Sequence, residues 1–419
     1  MVFCPSRFIG FFSGRRFGKT QGFIRRFKVK ALSAINFRYG YLTPTAGQNE
    51  EIFDQLLSDN DLRPFIKRTK TRPARMWLTN GSFLGMYSFQ RANNTKGKHF
   101  DEIFADESQD LDGAAFWRCV RPMLSDRSGT AIVAGQLPSK SHWLYKDFYL
   151  PGQAAPGSAL NPLDNGVARY RSWAIPSWQG PVFWTPEGKL ELQIARAQLP
   201  DWLFKSQYGC EPLGAENAVF PPDRLQAVTR GDVPAGPQHG EKYIFGHDIG
   251  RIVDPGATVG MRVSDGLVVH AARFPRGMKH EDQARQIEQL AKRWNDALVC
   301  LDVTGGGGGG KRPADTVAGI YRDVISNSRA VFLPWQVKQE IVSCLCVQIE
   351  QEKLSIPAVF KPLLEELGAY EATYSSGLWH FSAPKGLHDD LAIALALAVW
   401  GRSKGWVSTS NEKAVAAWY

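Results

Sequence analysis

The segment Ser13-Gly14-Arg15-Arg16-Phe17-Gly18-Lys19-Thr20 constrains this chain most. It lies between a short apolar run, Phe8 to Phe12, and a stretch of helical periodicity that opens at Lys19. A glycine-containing turn between a buried strand and a helix N-terminus surrounds phosphate oxygens with backbone N–H groups. In that setting Lys19 is expected to reach the β and γ oxygens of ATP, the substrate, and Thr20 to ligate Mg2+. The usual pattern starts with glycine where this chain has Ser13. Arg15 and Arg16 either stabilise transition-state charge, sense the γ-phosphate or meet solvent. Downstream, the apolar run Ile103 to Ala105 ends in Asp106 and Glu107. Asp106 is expected to hold Mg2+ through water, and Glu107 to orient or deprotonate the attacking water. Gln136 follows the next apolar strand, Thr130 to Ala134, where a coupling residue would relay nucleotide state.

The elements around this loop alternate. Phe8 to Phe12 reads as a strand, then a helix from Lys19, a strand at Tyr41 to Thr43, a helix across Asn49 to Leu57, and the two further strands. Such alternation predicts a parallel sheet covered by helices, an α/β domain. The 419 residues allow two domains. We place the first at 1–228, with an irregular lid at 151–212 where Pro, Gly, Trp and Ser concentrate around 151–186. A linker at 229–240 carries Pro234, Gly236, Pro237 and Gly240. Residues 241–403 form the second domain and 404–419 a tail.

Within the second domain, Tyr243 to Asp248, Thr258 to Val263 and Leu267 to Phe274 read as consecutive strands. Then come a helix (His280 to Asn295), a strand (Leu298 to Asp302), a helix (Ala314 to Ser326), a strand (Ala330 to Leu333) and a helix (Val337 to Glu352). Three antiparallel strands followed by α/β units is the ribonuclease H-like order, with a mixed sheet. Asp248 and Asp302 end strands, and Asp389 with Asp390 opens the helix running to Trp400. Carboxylates at two strand ends and a helix start can converge on one or two Mg2+ or Mn2+ ions that clamp a phosphate and activate water. Singly, each aspartate is better explained as a turn or cap residue, and the ordered set reverses that weighting. Which of Asp389 and Asp390 faces the metal stays open, with Asp390 favoured. Asp254, before Pro255 and Gly256, reads as a turn residue. Gly305 to Gly310 leads into Lys311 and Arg312 without a following Ser or Thr, so it reads as a basic loop and not a second nucleotide loop.

A net charge of +9 favours an anionic partner, and residues 1–30 hold eight Lys or Arg and no carboxylate. Six cysteines are scattered without a C-x-x-C pair, as expected of reduced thiols. The apolar run near Phe8 is too short to span a bilayer, so no membrane association is expected.

Taken in order, these motifs resemble the large terminase subunit of tailed bacteriophages. Thr43-Pro44-Thr45, Asn80-Gly81-Ser82, Lys96-Gly97-Lys98, Gln207 to Pro212 and His388-Asp389-Asp390 add to the likeness, which spans nearly the whole chain. The resemblance implies an ATP-driven motor that moves double-stranded DNA into a procapsid, and a metal-dependent endonuclease that cuts the genome. It further implies a small terminase subunit, a portal protein and a homo-oligomeric ring of five copies as partners. The site of action would be the cytoplasm of an infected bacterium, with transient docking on the procapsid and absence from the mature virion. Two departures stand out. Gln136 occupies the position that holds Thr in the coupling motif, and fewer residues precede the first strand than in similar proteins, which leaves adenine recognition unassigned. A DNA-binding nuclease or scaffold with a degenerate ATPase remains an alternative. A host helicase-nuclease is another, disfavoured because no room remains for a second motor domain.

Overall fold

The computed structural model describes residues 1–89, 97–213, 219–249, 256–304, 317–375, 378–384 and 388–407. Outside them fall Lys96, Asp254 with Pro255, the Gly305 to Gly310 run with Lys311 and Arg312, the start of the helix read from Ala314, and tail residues 408–419. The chain divides into two compact units. One holds residues 1–195, 202–216 and 374–378; the other holds 196–201, 217–373 and 379–419.

In the first unit eight strands form one sheet: β1 (Phe8–Ser13), β2 (Arg38–Thr43), β3 (Ile66–Lys70), β4 (Arg75–Leu78), β5 (Phe83–Ser88), β6 (Glu102–Ala105), β7 (Thr130–Gly135) and β8 (Tyr170–Ile175). Their spatial order is β8-β1-β7-β6-β2-β5-β4-β3. Pairing is parallel from β8 through β5 and antiparallel across the β5-β4-β3 edge. The central strands are buried on both faces, so β1 reads as one apolar run. Its alternate residues still divide between the faces: Ile9 and Phe11 join Phe23, Phe27, Tyr39 and Phe104, whereas Phe8 and Phe12 join Phe116 and Val120. Helix α1 (Lys19–Ser33) turns Phe23, Ile24, Phe27 and Ala31 onto the sheet. Each buried phenylalanine there contributes roughly 2–3 kcal/mol. Beside them Arg26 is also buried. Its Nε and Nη2 bond to both oxygens of Glu102, at 2.7 and 2.6 Å, and Nη1 bonds to the carbonyls of Met1 and Val2.

Helix α2 (Ala46–Ser58) opens in a capping box between Thr45 and Gln48, which fixes its start three residues earlier than the apolar pattern suggests. A larger difference concerns the stretch expected to be an irregular lid. It contains β8, which pairs in parallel with β1 from Phe8↔Tyr170 to Ser13↔Ile175. The strand is hard to read because its outer edge is finished by side chains. Asn161 bonds to both backbone groups of Tyr170, and Gln153 donates to the Ser172 carbonyl.

The second unit holds a five-stranded mixed sheet: β9 (Tyr243–Asp248), β10 (Ala257–Arg262), β11 (Val268–Arg273), β12 (Leu298–Asp302) and β13 (Ser328–Val331). Their order is β11-β10-β9-β12-β13. The first three run antiparallel, and β9-β12-β13 run parallel, as expected for the ribonuclease H-like order. Helices α3 (His280–Arg293), α4 (Val317–Val324), α5 (Trp335–Glu350), α6 (Lys361–Ala369) and α7 (Asp390–Ser403) belong to the same unit. Helix α7 is buried almost all round, from Leu391 to Val399. It lies so close to β9 that a Cβ on Gly246 would overlap the Ala394 carbonyl oxygen and sit 2.9 Å from the Ala398 nitrogen. Among the described residues no helix is long and apolar enough to cross a membrane.

Candidate functional site

Strand β1 ends at Ser13, whose side chain is fully buried, so the first position of the loop belongs to the sheet and needs only a small residue. The two glycines of the loop have different reasons. A Cβ on Gly14 would run into Ser177 and the Tyr208 carbonyl, whereas Gly18 faces open space but has φ +101°. That left-handed residue, with Arg16 at φ 57°, bends the backbone before α1 begins. The loop is stitched to later chain: Gly14 N–H donates to Ile175 O, Arg15 N–H to Gln207 O, and Ser177 Oγ to Arg15 O. The side chains of Arg15 and Arg16 are exposed, and Phe17 packs edge-on against Phe11.

The carboxylates at the end of β6 meet this loop. Thr20 Oγ1 donates to Asp106 Oδ2 at 3.3 Å, and Lys19 Nζ lies 3.6 Å from Glu107 Oε1. Tyr41 OH also donates to Asp106 Oδ2, at 2.8 Å. Burial, then the neighbouring Glu107, raises the Asp106 carboxyl above its ordinary range, against the opposing pull of Lys19. A cleft of about 270 Å³ opens here, lined among others by Thr20, Gln21, Thr43, Gln48, Asp106 and Glu107. Gln136 joins through its backbone, donating N–H to Gln109 Oε1 at 3.1 Å. Asn80 serves elsewhere: its amide donates to Ala31 O and Ala34 O and closes the C-terminus of α1.

In the second unit Asp248 and Asp302 stand side by side as register partners at the ends of parallel strands β9 and β12. Asp389 occupies the N-cap position of α7 without a side-chain cap bond, and Asp390 is the first helical residue. Burial raises the Asp248 carboxyl well above its ordinary range, helped by Asp302, Asp390 and Asp389 in turn. Burial also raises Asp302, although the Thr304 N–H bond opposes it. Asp390 is pushed up to about 6 by burial, then by Glu366 and Asp389.

Asp302, Asp389 and Asp390 thus lie close enough to Asp248 for their charges to raise it. Asp390 Oδ2 is buried without a hydrogen-bond partner, which leaves an acceptor for a hard cation. Among the described residues no group of three or more His, Cys, Asp or Glu is placed to grip a single ion. The donor set therefore fits a hydrated Mg2+ or Mn2+ held by one or two carboxylates, not a closed cage.

Three neighbours join these carboxylates only through the fold. Lys338, on α5, lies 3.3 Å from Asp389 Oδ2. Glu366 accepts the Ala392 N–H in the first turn of α7 and pairs with Arg273 of β11. His247 is fully buried with its Nδ1 2.8 Å from Thr258 Oγ1, and burial lowers it to about 3, so it stays neutral. His388 lies 3.6 Å from Asp390 Oδ2.

No family model matches the chain. It is similar to the terminase large subunit of Thermus virus P23-45, with 25% identity over 347 residues that cover 79% of this chain and 67% of the relative. The terminase large subunit of Thermus phage G20c is 24% identical over the same coverage. Among solved structures, the large terminase of a thermophilic bacteriophage superposes with a TM-score of 0.55. That match covers 94% of this chain and 93% of the other at 11% identity, a likeness of fold.

Proposed function

We propose that this chain, a homologue of the large terminase subunits, is an ATP-driven DNA-packaging motor subunit that also cuts DNA with a metal-dependent endonuclease. The observation that carries this reading is the contact of Lys19 and Thr20 with Glu107 and Asp106, in a chain that also sets Asp248 beside Asp302. When bound, a divalent ion supplies charge neutralisation at each site and lowers the pKa of a coordinated water.

The chain's own residues do the rest. The loop N–H groups and Lys19 bind the β and γ phosphates, while Thr20 and Asp106 would hold the ion. A triphosphate gives Lys19 a new anionic partner and so frees Glu107 Oε1, which then takes a proton from the attacking water. In the second unit one or two of Asp248, Asp302 and Asp390 would hold the ion directly and the rest through its water, with Glu366 fixing the start of α7. The Lys338 ammonium offsets the carboxylate charge from the Asp389 side.

Double-stranded DNA is the polymer on which both activities act, moved by the one and cut by the other. The exposed β3 edge supports this, since Lys67, Arg68, Lys70 and Arg72 face solvent there and Arg68 stacks 4.2 Å over Trp77. Phosphate contacts of this kind give affinity without sequence preference. As finer parts of the same proposal, the chain works as a ring of five copies on a portal protein, with a small terminase subunit. It acts inside the infected bacterium and leaves the filled capsid.

Steady-state ATP hydrolysis of the wild type against Lys19→Ala and Glu107→Gln tests the motor, and equal rates in all three would rule it out. Plasmid nicking with Mg2+ or Mn2+ tests the nuclease. Asp302→Asn should abolish it, and undiminished nicking by that variant excludes the site.

A further inference from the structure

We propose that Gln109 is a positioning residue that ties the orientation of Glu107 to the end of strand β7. The inference rests on the ATPase reading above and concerns a residue that the loop and strand-end motifs do not include.

Three observations meet at one amide. Gln109 Nε2 donates to Glu107 Oε2 at 2.6 Å, and Gln109 Oε1 accepts the Gln136 N–H at 3.1 Å. Between these partners lies Gly135, where a Cβ would overlap Gln109 Oε1. The bridge therefore needs a residue without a side chain at the last position of β7. The Gln carboxamide places a donor and an acceptor on one rigid planar group, so a single side chain can span both partners. The amide is itself held in place. Residues Ser108–Asp110 form one tight turn, closed by Asp110 N–H to Glu107 O and by Ser108 Oγ to Ala105 O, and the His142 ring bonds to the Gln109 backbone. Glu107 has φ 46°, a left-handed backbone that an ordinary residue keeps only when its surroundings hold it.

This arrangement occupies both oxygens of the proposed base, Oε1 facing Lys19 and Oε2 bonded to Gln109. A triphosphate changes the first contact; a movement at the end of β7 changes the second. N–H···O hydrogen bonds span up to about 3.2 Å, so an ångström of travel at Gly135–Gln136 strains one of the two hydrogen bonds of the amide and pulls on the carboxylate. Gln136 then contributes through its backbone N–H, whatever its side chain is. That accounts for a coupling position that tolerates Gln in place of Thr.

The test is steady-state ATP hydrolysis by the full chain, with and without linear double-stranded DNA, for the wild type, Gln109→Ala, Gln109→Glu and Glu107→Gln. Binding of a fluorescent ATP analogue is measured alongside. Gln109→Glu keeps the size of the side chain but replaces the donor with an oxygen that repels Glu107. Both Gln109 variants should lower kcat at least tenfold, with KM and analogue affinity within threefold of wild type, and any response of the rate to DNA should disappear. A Gln109→Glu chain with kcat within twofold of wild type overturns the proposal. So does a variant that loses analogue affinity in proportion to rate, because that marks damage to the fold of the loop. A wild-type chain with no hydrolysis overturns the ATPase reading itself. An active wild type with unaffected Gln109 variants overturns this inference alone.

Discussion

Replacing Gly246 by alanine should disable the carboxylate cluster without altering any carboxylate. Gly246 sits on β9, where α7 crosses it, and an added Cβ would overlap the Ala394 carbonyl and approach the Ala398 nitrogen to 2.9 Å. Ordinary contact begins near 3.4 Å, so the helix must retreat by about 0.5 Å at Ala398 and by more at Ala394. Both obstacles are helix backbone, which cannot rotate away as a side chain would. Overpacking of this kind costs about 1–3 kcal/mol. For a unit of this size that is a drop in Tm of roughly 3–10 °C. Asp390 lies one turn before Ala394 and moves with it. Displacement of a reacting group by about 1 Å can cost about a hundredfold in rate. Thermal melts followed by circular dichroism, with plasmid nicking at a temperature below both transitions, measure the two effects. ATP hydrolysis should be unchanged. An alanine variant with wild-type Tm and nicking within twofold would refute the claim that this helix is held by backbone contact.

Three further outcomes are expected. Asp390 is raised to about 6 in the folded chain from 3.8, so the folded state holds the proton more tightly and stability falls as pH rises through that window. In EDTA, Asp390→Asn should therefore stabilise the chain relative to wild type by a margin that grows between pH 5 and 7.5, up to about 3 kcal/mol, and shrinks when Mg2+ is added. Denaturant melts at the two pH values check this, and a margin independent of pH contradicts it. Arg26→Met leaves Glu102 charged and buried, which should cost about 3–5 kcal/mol; Arg26→Met with Glu102→Leu should recover much of that loss in the same melts. DNA affinity should fall with log salt at a slope set by the number of phosphates contacted, and Lys67→Ala with Lys70→Ala should flatten that slope in fluorescence anisotropy.

The parts of this molecule that are legible in its sequence are those written in consecutive residues. The strand-turn-helix at Ser13 to Thr20 announces itself through Gly18 and the apolar run before it, because only glycine readily takes φ +101° there. Asp248 and Asp302 are visible as the ends of apolar strands, and the antiparallel-then-parallel order of β9 to β13 follows from spacing. What stays hidden depends on partners far along the chain. Tyr41 meets Asp106 across 65 residues, Glu366 reaches the start of α7 across 26, and Lys338 meets Asp389 across 51. Local periodicity holds no trace of such pairs. Strand β8 is obscured for a different reason: its neighbours are turn formers, and its polar Ser172 is buried because Tyr149 and Gln153 satisfy it.

The placement of β1 between β7 and β8 bears on how the chain is made as well as on what it does. The ribosome delivers β1 before the rest of its sheet, and its parallel partners begin only at Thr130 and Tyr170. At synthesis rates of about 5–20 residues per second, roughly ten to thirty seconds pass before the second partner emerges. Until β7 emerges the Ser13 to Thr20 loop has no sheet to hang from, and until β8 follows one edge of the aromatic run Phe8 to Phe12 stays open. The edge of β1 therefore closes late, when β8 pairs with it. Lesions that slow this closure, in β8 or in the Asn161 and Gln153 contacts that finish it, should reduce the yield of soluble protein more than they reduce the activity of the molecules that fold.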